Sequence, residues 1–414
     1  MFPADRAAPS DRQKNDRRRH VEFRQASVRL EVSWKPQFID ETMPSPVPSE
    51  RNILFVDAGP FFGGAQRSLL QLMLAVRKQS RFRPVIALAD RSPGGLLAQC
   101  EEHHIPTTVL PVRPWRRSPR GGMQFLADRF RQRSALHGFF EHHRPRLVHA
   151  NSVRAGLLAC PSSHPLIVHD RDRRAPAAAR LLLTACADAI VAVSKSVAAC
   201  WPQAARRQKI RVIANGFDLL RIRNAAAGVE KSAEGLSIGL VADLVPWKRH
   251  DLFLRTLHLA KTRIPGLRAT VVGRPLQPES GVYLRSLREL ADELGLSERV
   301  TFVTDCQDAV PWIASLDVLM STSDREPFGR SVVEALAIGV PVVAVRGGGP
   351  EEILSGTGAG TVTDATPSAL AEALQTWEAP DRRRAAATQA RQRAEAFDIR
   401  RSASQIIDLY ETLT

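Results

Sequence analysis

Tyrosine is nearly absent, two in 414 residues, and the five cysteines stand apart at 100, 160, 186, 200 and 306. None falls in a CxxC pair, so a zinc site or disulfide framework is not expected and a reducing compartment fits. No apolar run reaches the ~18–20 residues of a membrane-spanning helix. The two most apolar stretches, Leu181–Val193 and Val332–Val345, are interrupted by Asp188 and Glu334. The Arg-rich N-terminus has no apolar core segment, so a secretory signal is not expected and a cytoplasmic location is. Lysine is scarce, yet 58 Lys+Arg against 43 Asp+Glu leave a net charge of +15, most of it on arginine. Such a field suits phosphorylated ligands, anionic membrane surfaces or nucleic acid without choosing among them. No helix-turn-helix, zinc-finger or ribonucleoprotein motif accompanies it, so nucleic acid is the poorest of the three. With 44% hydrophobic and 24% charged residues the chain is neither fibrous nor wholly disordered. Its length exceeds the ~250–300 residues at which single cores stop growing, and two domains are expected.

Residues 1–50 hold nine basic and eight acidic residues with prolines at 44, 46 and 48, and read as a tail without periodicity. Its run Arg17–His20 reads as a solvated charge cluster, and Met43 offers an alternative start. From Asn52 short apolar runs alternate with helical stretches: Ile53–Val56, Pro84–Ala89, Thr107–Val112, Arg146–Ala150, Pro165–His169, Ala189–Val193 and Lys209–Ala214. After a pause the rhythm restarts with Leu236–Ala242, Ala269–Val272, Val300–Val303, Val318–Met320 and Pro341–Val345. Such alternation implies right-handed parallel βαβ units. We read two doubly wound Rossmann-like domains, 51–215 and 236–393, joined by a linker at 216–235. A helix at 394–414 follows an Arg-rich polar segment. Ligands of such sheets bind beyond the strand carboxyl ends, which makes the cleft between the domains the expected site.

The richest cluster is Ser323–Ala337. A strand leads to a loop bearing Glu326, and Gly329 opens a helix bearing Glu334 among apolar neighbours. Two carboxylates at one strand end can accept hydrogen bonds from a polyol, each contributing about 1.5–3 kcal/mol. Read as ordinary structure, Glu326 is a helix-capping acid and Glu334 a solvated position. Gly63-Gly64 and Gly347-Gly348-Gly349-Pro350 each lie between a strand and a helix, where free backbone N–H groups meet phosphate or where a tight turn simply needs glycine. Lys248, just past the strand Leu236–Ala242, places a compact positive charge beside the cleft. Gly356–Gly360 has GxGxG spacing, not the GxGxxG of a dinucleotide fingerprint, and no strand is followed by that fingerprint, which disfavours a nicotinamide enzyme.

Glu326-Pro-Phe-Gly, the seven residues between the two glutamates, and Glu334-Ala-Leu-Ala resemble the E-x7-E signature of the family-four retaining glycosyltransferases of GT-B fold. The segment Gly339–Glu351 agrees with that family's next strand and glycine loop. The resemblance implies two Rossmann-like domains facing across a cleft, with the C-terminal helix crossing back to the first. It implies a hexosyltransferase-like enzyme that takes a sugar from a nucleotide-diphosphate donor, the nucleotide held mainly by the second domain. Glu334 then holds the ribose. Glu326, with the backbone of Phe328 and Gly329, holds the sugar hydroxyls. Lys248 and the amides at Gly63, Gly64, Gly348 and Gly349 meet the diphosphate. Neither metal nor other cofactor is expected. Two positions depart from the family. Asp243 stands where it has an arginine, and Arg249 where it has the glycine after the lysine, which leaves Arg249 as the substitute phosphate ligand. His169 in Ile167–Asp172, or its neighbour Arg171, corresponds to the family residue near the reaction centre; a turn histidine is the alternative. His149 and Asn151 end another strand, on the acceptor side or as structure.

Phe125–Arg144 interleaves arginines with phenylalanines. It reads either as a helix packing its rings inward or as one resting on an anionic bilayer. A lipid-linked or saccharide acceptor at the inner membrane face, in surface polysaccharide or glycolipid synthesis, follows from the charge and the resemblance. A catalytically silent GT-B module binding a nucleotide-sugar or partner enzyme is the alternative that Asp243 keeps open.

Overall fold

The computed structural model describes residues 51–110, 136–231, 235–276 and 279–414. The tail and the first part of the basic aromatic segment, 125–135, lie outside the described residues. The first half of the fold runs β1 (Asn52–Asp57), α1 (Gly64–Gln79), β2 (Arg83–Leu88), α2 (Leu96–Glu102), β3 (Thr107–Val109), the helical residues 136–143 (α3), β4 (Leu147–Ala150), α4 (Val153–Ala159), β5 (Leu166–Asp170), α5 (Ala177–Cys186), β6 (Ala189–Ala192), α6 (Lys195–Ala198), α7 (Gln203–Gln208) and β7 (Ile210–Val212); α8 (Leu219–Ala226) follows and packs with the second half. The second runs β8 (Ser237–Val241), α9 (His250–Ala260), β9 (Arg268–Val272), α10 (Ser280–Glu293), β10 (Val300–Val303), α11 (Val310–Ala314), β11 (Val318–Ser321), α12 (Arg330–Ile338), β12 (Val342–Val345), α13 (Gly349–Leu354), β13 (Gly360–Thr363), α14 (Pro367–Gln375), α15 (Pro380–Ala394) and α16 (Ile399–Leu413).

Among the described residues every strand pairing is parallel. The first sheet has the order β3-β2-β1-β4-β5-β6-β7 and the second β10-β9-β8-β11-β12-β13. Runs such as Ile53–Val56 and Val342–Ala344 are fully buried because helices cover both sheet faces. In each sheet the order reverses beside the first strand, between β1 and β4 and between β8 and β11. Loops diverge there and leave a crevice at the carboxyl ends. The loops after β1, β8 and β11 carry Gly63-Gly64, Lys248 and Glu326, so topology alone aims them at one region.

The chain passes between the halves twice, and the two passages touch. Phe217 N donates to Phe397 O at 2.8 Å and Ile399 N to Phe217 O at 2.9 Å. A Cβ on Gly216 would sit 2.6 Å from Ile399 Cα, so only glycine admits this approach. Beyond it α16 returns to α1 with Ser402, Ala403, Ile406 and Tyr410 buried on one stripe. The Tyr410 ring meets Phe82 edge-on at 5.6 Å.

Three sequence expectations change. The stretch 216–235 is not a plain linker: Asp218 caps α8, which buries Leu219 and Ile222. The Arg-rich segment before the last helix is itself a helix, α15. Its buried stripe is only Ala386, Ala390 and Ala394, at four-residue spacing, too small to register as an apolar face. Gly360 opens a strand, β13, that the glycine-rich sequence concealed. In the described part of the basic aromatic segment, Phe139 and Phe140 pack against the first core.

Because the Gly216 contact is backbone against backbone, Gly216→Ala is expected to cost about 1–3 kcal/mol. Urea unfolding checks this: a lowered midpoint at unchanged slope is the expected result.

Candidate functional site

A cavity of about 380 Å³ lies between the two sheets' carboxyl ends. Its floor on the second half is the β8 end with Asp243, Trp247 and Lys248, the β9 end with Arg274, and the segment Glu326–Ser331 with Glu334. The opposite wall carries Gly64, Arg67, Arg171, Asp172, Arg174 and Asn215. Six cations and four carboxylates line it, an excess of two positive charges that suits a dianion.

Lys248 Nζ donates to Glu326 Oε2 at 2.6 Å, with both side chains about nine-tenths hidden (15% and 12% exposed). The Lys248 ammonium also lies 4.0 Å from the Trp247 ring centre. The Arg174 guanidinium, from the other half, also lies over that indole, 4.3 Å from its centre. The loop is fixed from below, since Thr322 Oγ1 donates to the carbonyls of Lys248 and Arg249 at 2.9 and 3.0 Å.

The glycines divide by role. Gly329 (φ 100°) and Gly339 (φ 85°) bound α12 in the left-handed region, where a side chain is strained. Gly348 and Gly349 do not line the cavity. Their missing Cβ atoms would lie 2.4 and 2.2 Å from the carbonyls of Glu326 and Phe328, and Gly349 N donates to Glu326 O at 2.9 Å. They let the β12–α13 loop press on the Glu326 loop and fix its shape. Gly64 does line the cavity, while Gly63 caps α1 with its N–H held by Gln66 Oε1 at 3.2 Å. Phe328 contributes backbone there, its ring being stacked on Phe217 at 6.1 Å beside the crossing point.

Besides Gly63, Gly348 and Gly349, which were expected to meet the diphosphate, two more candidates stand elsewhere than expected. Arg249 adopts φ 54°, as the glycine it replaces would, but its guanidinium turns to Asp251 at 3.1 Å and stays outside the cavity lining. The left-handed backbone points the side chain toward α9. His169 is buried behind the wall, with Arg171 in front of it. Tyr410 Oη lies 2.6 Å from His149 Nδ1, His149 Nε2 lies 3.0 Å from His169 Nδ1, and Arg171 Nη2 donates to that same Nδ1 at 3.3 Å. A guanidinium only donates, so Nδ1 accepts and neutral His169 carries its proton on Nε2, which has no protein partner. Arg171 Nε donates to Asn151 Oδ1 at 2.8 Å and Nη1 to Asn215 Oδ1. Asn151 in turn donates to buried Asp57 at 2.6 Å, so Asn151 serves to hold Arg171.

Three arginines that the motifs did not single out complete the lining. Arg330, next to Gly329, bonds Glu334 at 3.2 Å and Ser68 Oγ across the cleft. Arg67, four residues past Gly63, donates to Gln307 O at 3.0 Å, and Arg274 to Phe62 O at 2.7 Å. Burial and neighbouring positive charge lower the pKa of Arg171, Arg274 and Arg330, while burial raises that of Asp243 against the pull of Lys248, Arg274 and Arg67. Proximity to a glycine or a strand end was the available signal, and an arginine-rich chain drowned it. Among the described residues no group of three or more His, Cys, Asp or Glu is arranged to hold a metal ion.

Two Rossmann-like sheets that face across a cleft, with paired glutamates on the second, define a GT-B protein. The structure aligns with that of Anabaena HepE, solved with UDP and glucose, at TM-score 0.72 and 26% identity, covering 87% of this chain and 99% of the other. It also aligns with sucrose-phosphate synthase from Thermosynechococcus elongatus at TM-score 0.72 and 20% identity, covering 88% and 99%, a likeness of fold alone. The chain belongs to the group 1 glycosyltransferases: the model for Glycosyltransferase Family 4 matches residues 62–221 and that for Glycosyl transferases group 1 matches 225–393. It is 31% identical over 217 residues to a D-inositol 3-phosphate glycosyltransferase of Saccharomonospora viridis, covering 49% of each. The chain thus spans about half the length of the curated relatives it matches.

Burial holds His149 down to about 3 and His250 to about 4. Unfolding frees both to protonate near their ordinary 6.5, so the unfolded state binds more protons below that pH and stability falls with acidification. Between pH 7 and 5 each is expected to remove about 2 kcal/mol, read by urea unfolding at the two pH values. Because burial also raises Asp57, Asp170 and Asp243, which opposes this trend, the histidine share is read as the pH dependence lost in His149→Gln and His250→Gln.

Proposed function

We propose that the protein is a retaining glycosyltransferase that moves a sugar from a nucleoside-diphosphate sugar to an acceptor hydroxyl. The observation that carries this reading is the Lys248–Glu326 pair at 2.6 Å, in one cavity with Glu334 and facing Gly64 across the cleft. A lysine already inside a partly dry cleft needs only a small rotation from a carboxylate to a phosphate oxygen. Glu326, released from it, accepts hydrogen bonds from sugar hydroxyls, and Glu334 does the same for the ribose. In the transfer the bond between the anomeric carbon and the phosphate oxygen breaks while that carbon bonds the acceptor oxygen. The acceptor's proton passes to the departing phosphate on the same face. The protein's part is to hold fixed positive charge where negative charge develops, in a site with little water to screen it. That role is filled here by side chains, so no divalent metal is required by the scheme.

UDP and a UDP-hexose are the first donors to try, since the HepE structures hold UDP, UDP-glucose or UDP with glucose. On the acceptor side we favour a lipid-linked or saccharide acceptor of cell-surface polysaccharide or glycolipid synthesis. The relatives named for inositol 3-phosphate make a phosphorylated polyol a further one to screen. A peripheral station on an anionic bilayer is supported by the +15 charge and by Leu181 and Leu182 of α5, 63% and 50% exposed. The rival, a silent GT-B module, is favoured by one observation, the carboxylate of Asp243 on the cavity floor.

Glu326→Ala is expected to lower kcat by at least ~100-fold, the scale of losing one preorganised group at the reacting centre, with the melting temperature little changed. Turnover equal to the parent's would remove Glu326 from the mechanism. Activity on a UDP-hexose is expected to survive EDTA. The protein is expected to sediment with anionic liposomes at low salt; recovery wholly in the supernatant would sink the membrane station.

A further inference from the structure

The diphosphate reading leaves an inconsistency: the position that the family resemblance fills with arginine is Asp243, and the proposed substitute, Arg249, is bound to Asp251 outside the cavity. The register of the second sheet shows where positive charge stands instead. β8 and β9 run parallel with Val241 opposite Val272, and beyond the strands Ala242 N donates to Val272 O and Leu244 N to Arg274 O. Asp243 and Arg274 are therefore lateral neighbours at the two strand ends. Arg274 lines the cavity, and its Nη2 donates to the carbonyl of Phe62, the residue before Gly63-Gly64. Asp243 faces the same loop: a Cβ on Gly63 would lie 3.9 Å from its Oδ2. From the opposite wall Arg67 reaches back over the cleft to Gln307 O. The two guanidiniums repel one another, and Asp243 is the acid that faces them both. Two arginines held close by neutral carbonyls, each from the opposite half, form a site that is unfavourable empty and favourable with a dianion in it.

We infer that in this protein the diphosphate-binding arginine has moved one strand over, from the end of β8 to Arg274 at the end of β9, and is joined by Arg67 from across the cleft. The inference rests on the nucleotide-sugar reading and names the residues that serve it.

Isothermal titration of the full chain with UDP, and with uridine as the phosphate-free control, tests it. Arg274→Gln and Arg67→Gln are each expected to weaken UDP at least tenfold while leaving uridine affinity within threefold. The double exchange Asp243→Arg with Arg274→Asp, which returns the charge to β8, is expected to bind UDP within threefold of the parent. Circular dichroism melts confirm that the variants fold. If Glu334→Gln weakens UDP but both arginine variants bind it as the parent does, the relocation is wrong and the nucleotide-sugar reading stands. If the parent binds none of UDP, GDP and ADP at millimolar concentration, that reading falls and takes the relocation with it.

Discussion

Charge confined between two apposed sheet ends is the constraint on which the rest of this structure depends. Four arginines and a lysine that line the cleft are each held by a partner: Lys248 by Glu326, Arg330 by Glu334 and Ser68, Arg171 by two asparagines, Arg67 and Arg274 by carbonyls. Desolvating a cation without such partners is costly. Several of the partners belong to the opposite half, so the arrangement of cations and the apposition of the halves are one state. Other contacts reinforce it: Ser194 Oγ donates to Pro327 O at 2.7 Å, and Glu352 accepts from the amides of Lys195 and Ser196 at 2.8 and 2.7 Å. Glu326 thus sits on a segment gripped from three sides.

The crossing point gives these contacts a common pivot. Phe217, Phe328 and Phe397 form one aromatic cluster, with Phe328 in the very loop that carries Glu326. The halves thus meet the Glu326 loop through packed rings at the crossing point. Tyr410 extends the coupling into the first half, since the helix that crosses back supplies the hydroxyl at the end of the His149–His169–Arg171 chain.

The two-carboxylate loop and the alternation of strand and helix were legible because each is local. Seven residues between Glu326 and Glu334 fix a loop followed by two helical turns wherever the fold places them. Short Val/Ile/Leu runs between helices permit little besides parallel units. α8, α15 and β13 escaped for local reasons too: α15 buries only alanine, and glycines precede β13.

By itself the sequence determined the chemistry available: arginine in place of lysine, paired glutamates at one strand end, glycines where loops pass closely, and Asp243 where an arginine was to be expected. Only the tertiary structure decided which charges meet. Arg67 and Arg274 lie more than two hundred residues apart along the chain, and both ends of the cleft must be assembled before either has its partner. Arg249 and His169 are the converse. The resemblance placed Arg249 at the diphosphate and His169, or its neighbour Arg171, near the reaction centre; a left-handed backbone puts Arg249 on Asp251, and a buried imidazole chain puts His169 behind Arg171. A residue's type and spacing specify what it can do. Its direction is set by the backbone on which it stands and by long-range contacts that spacing does not encode.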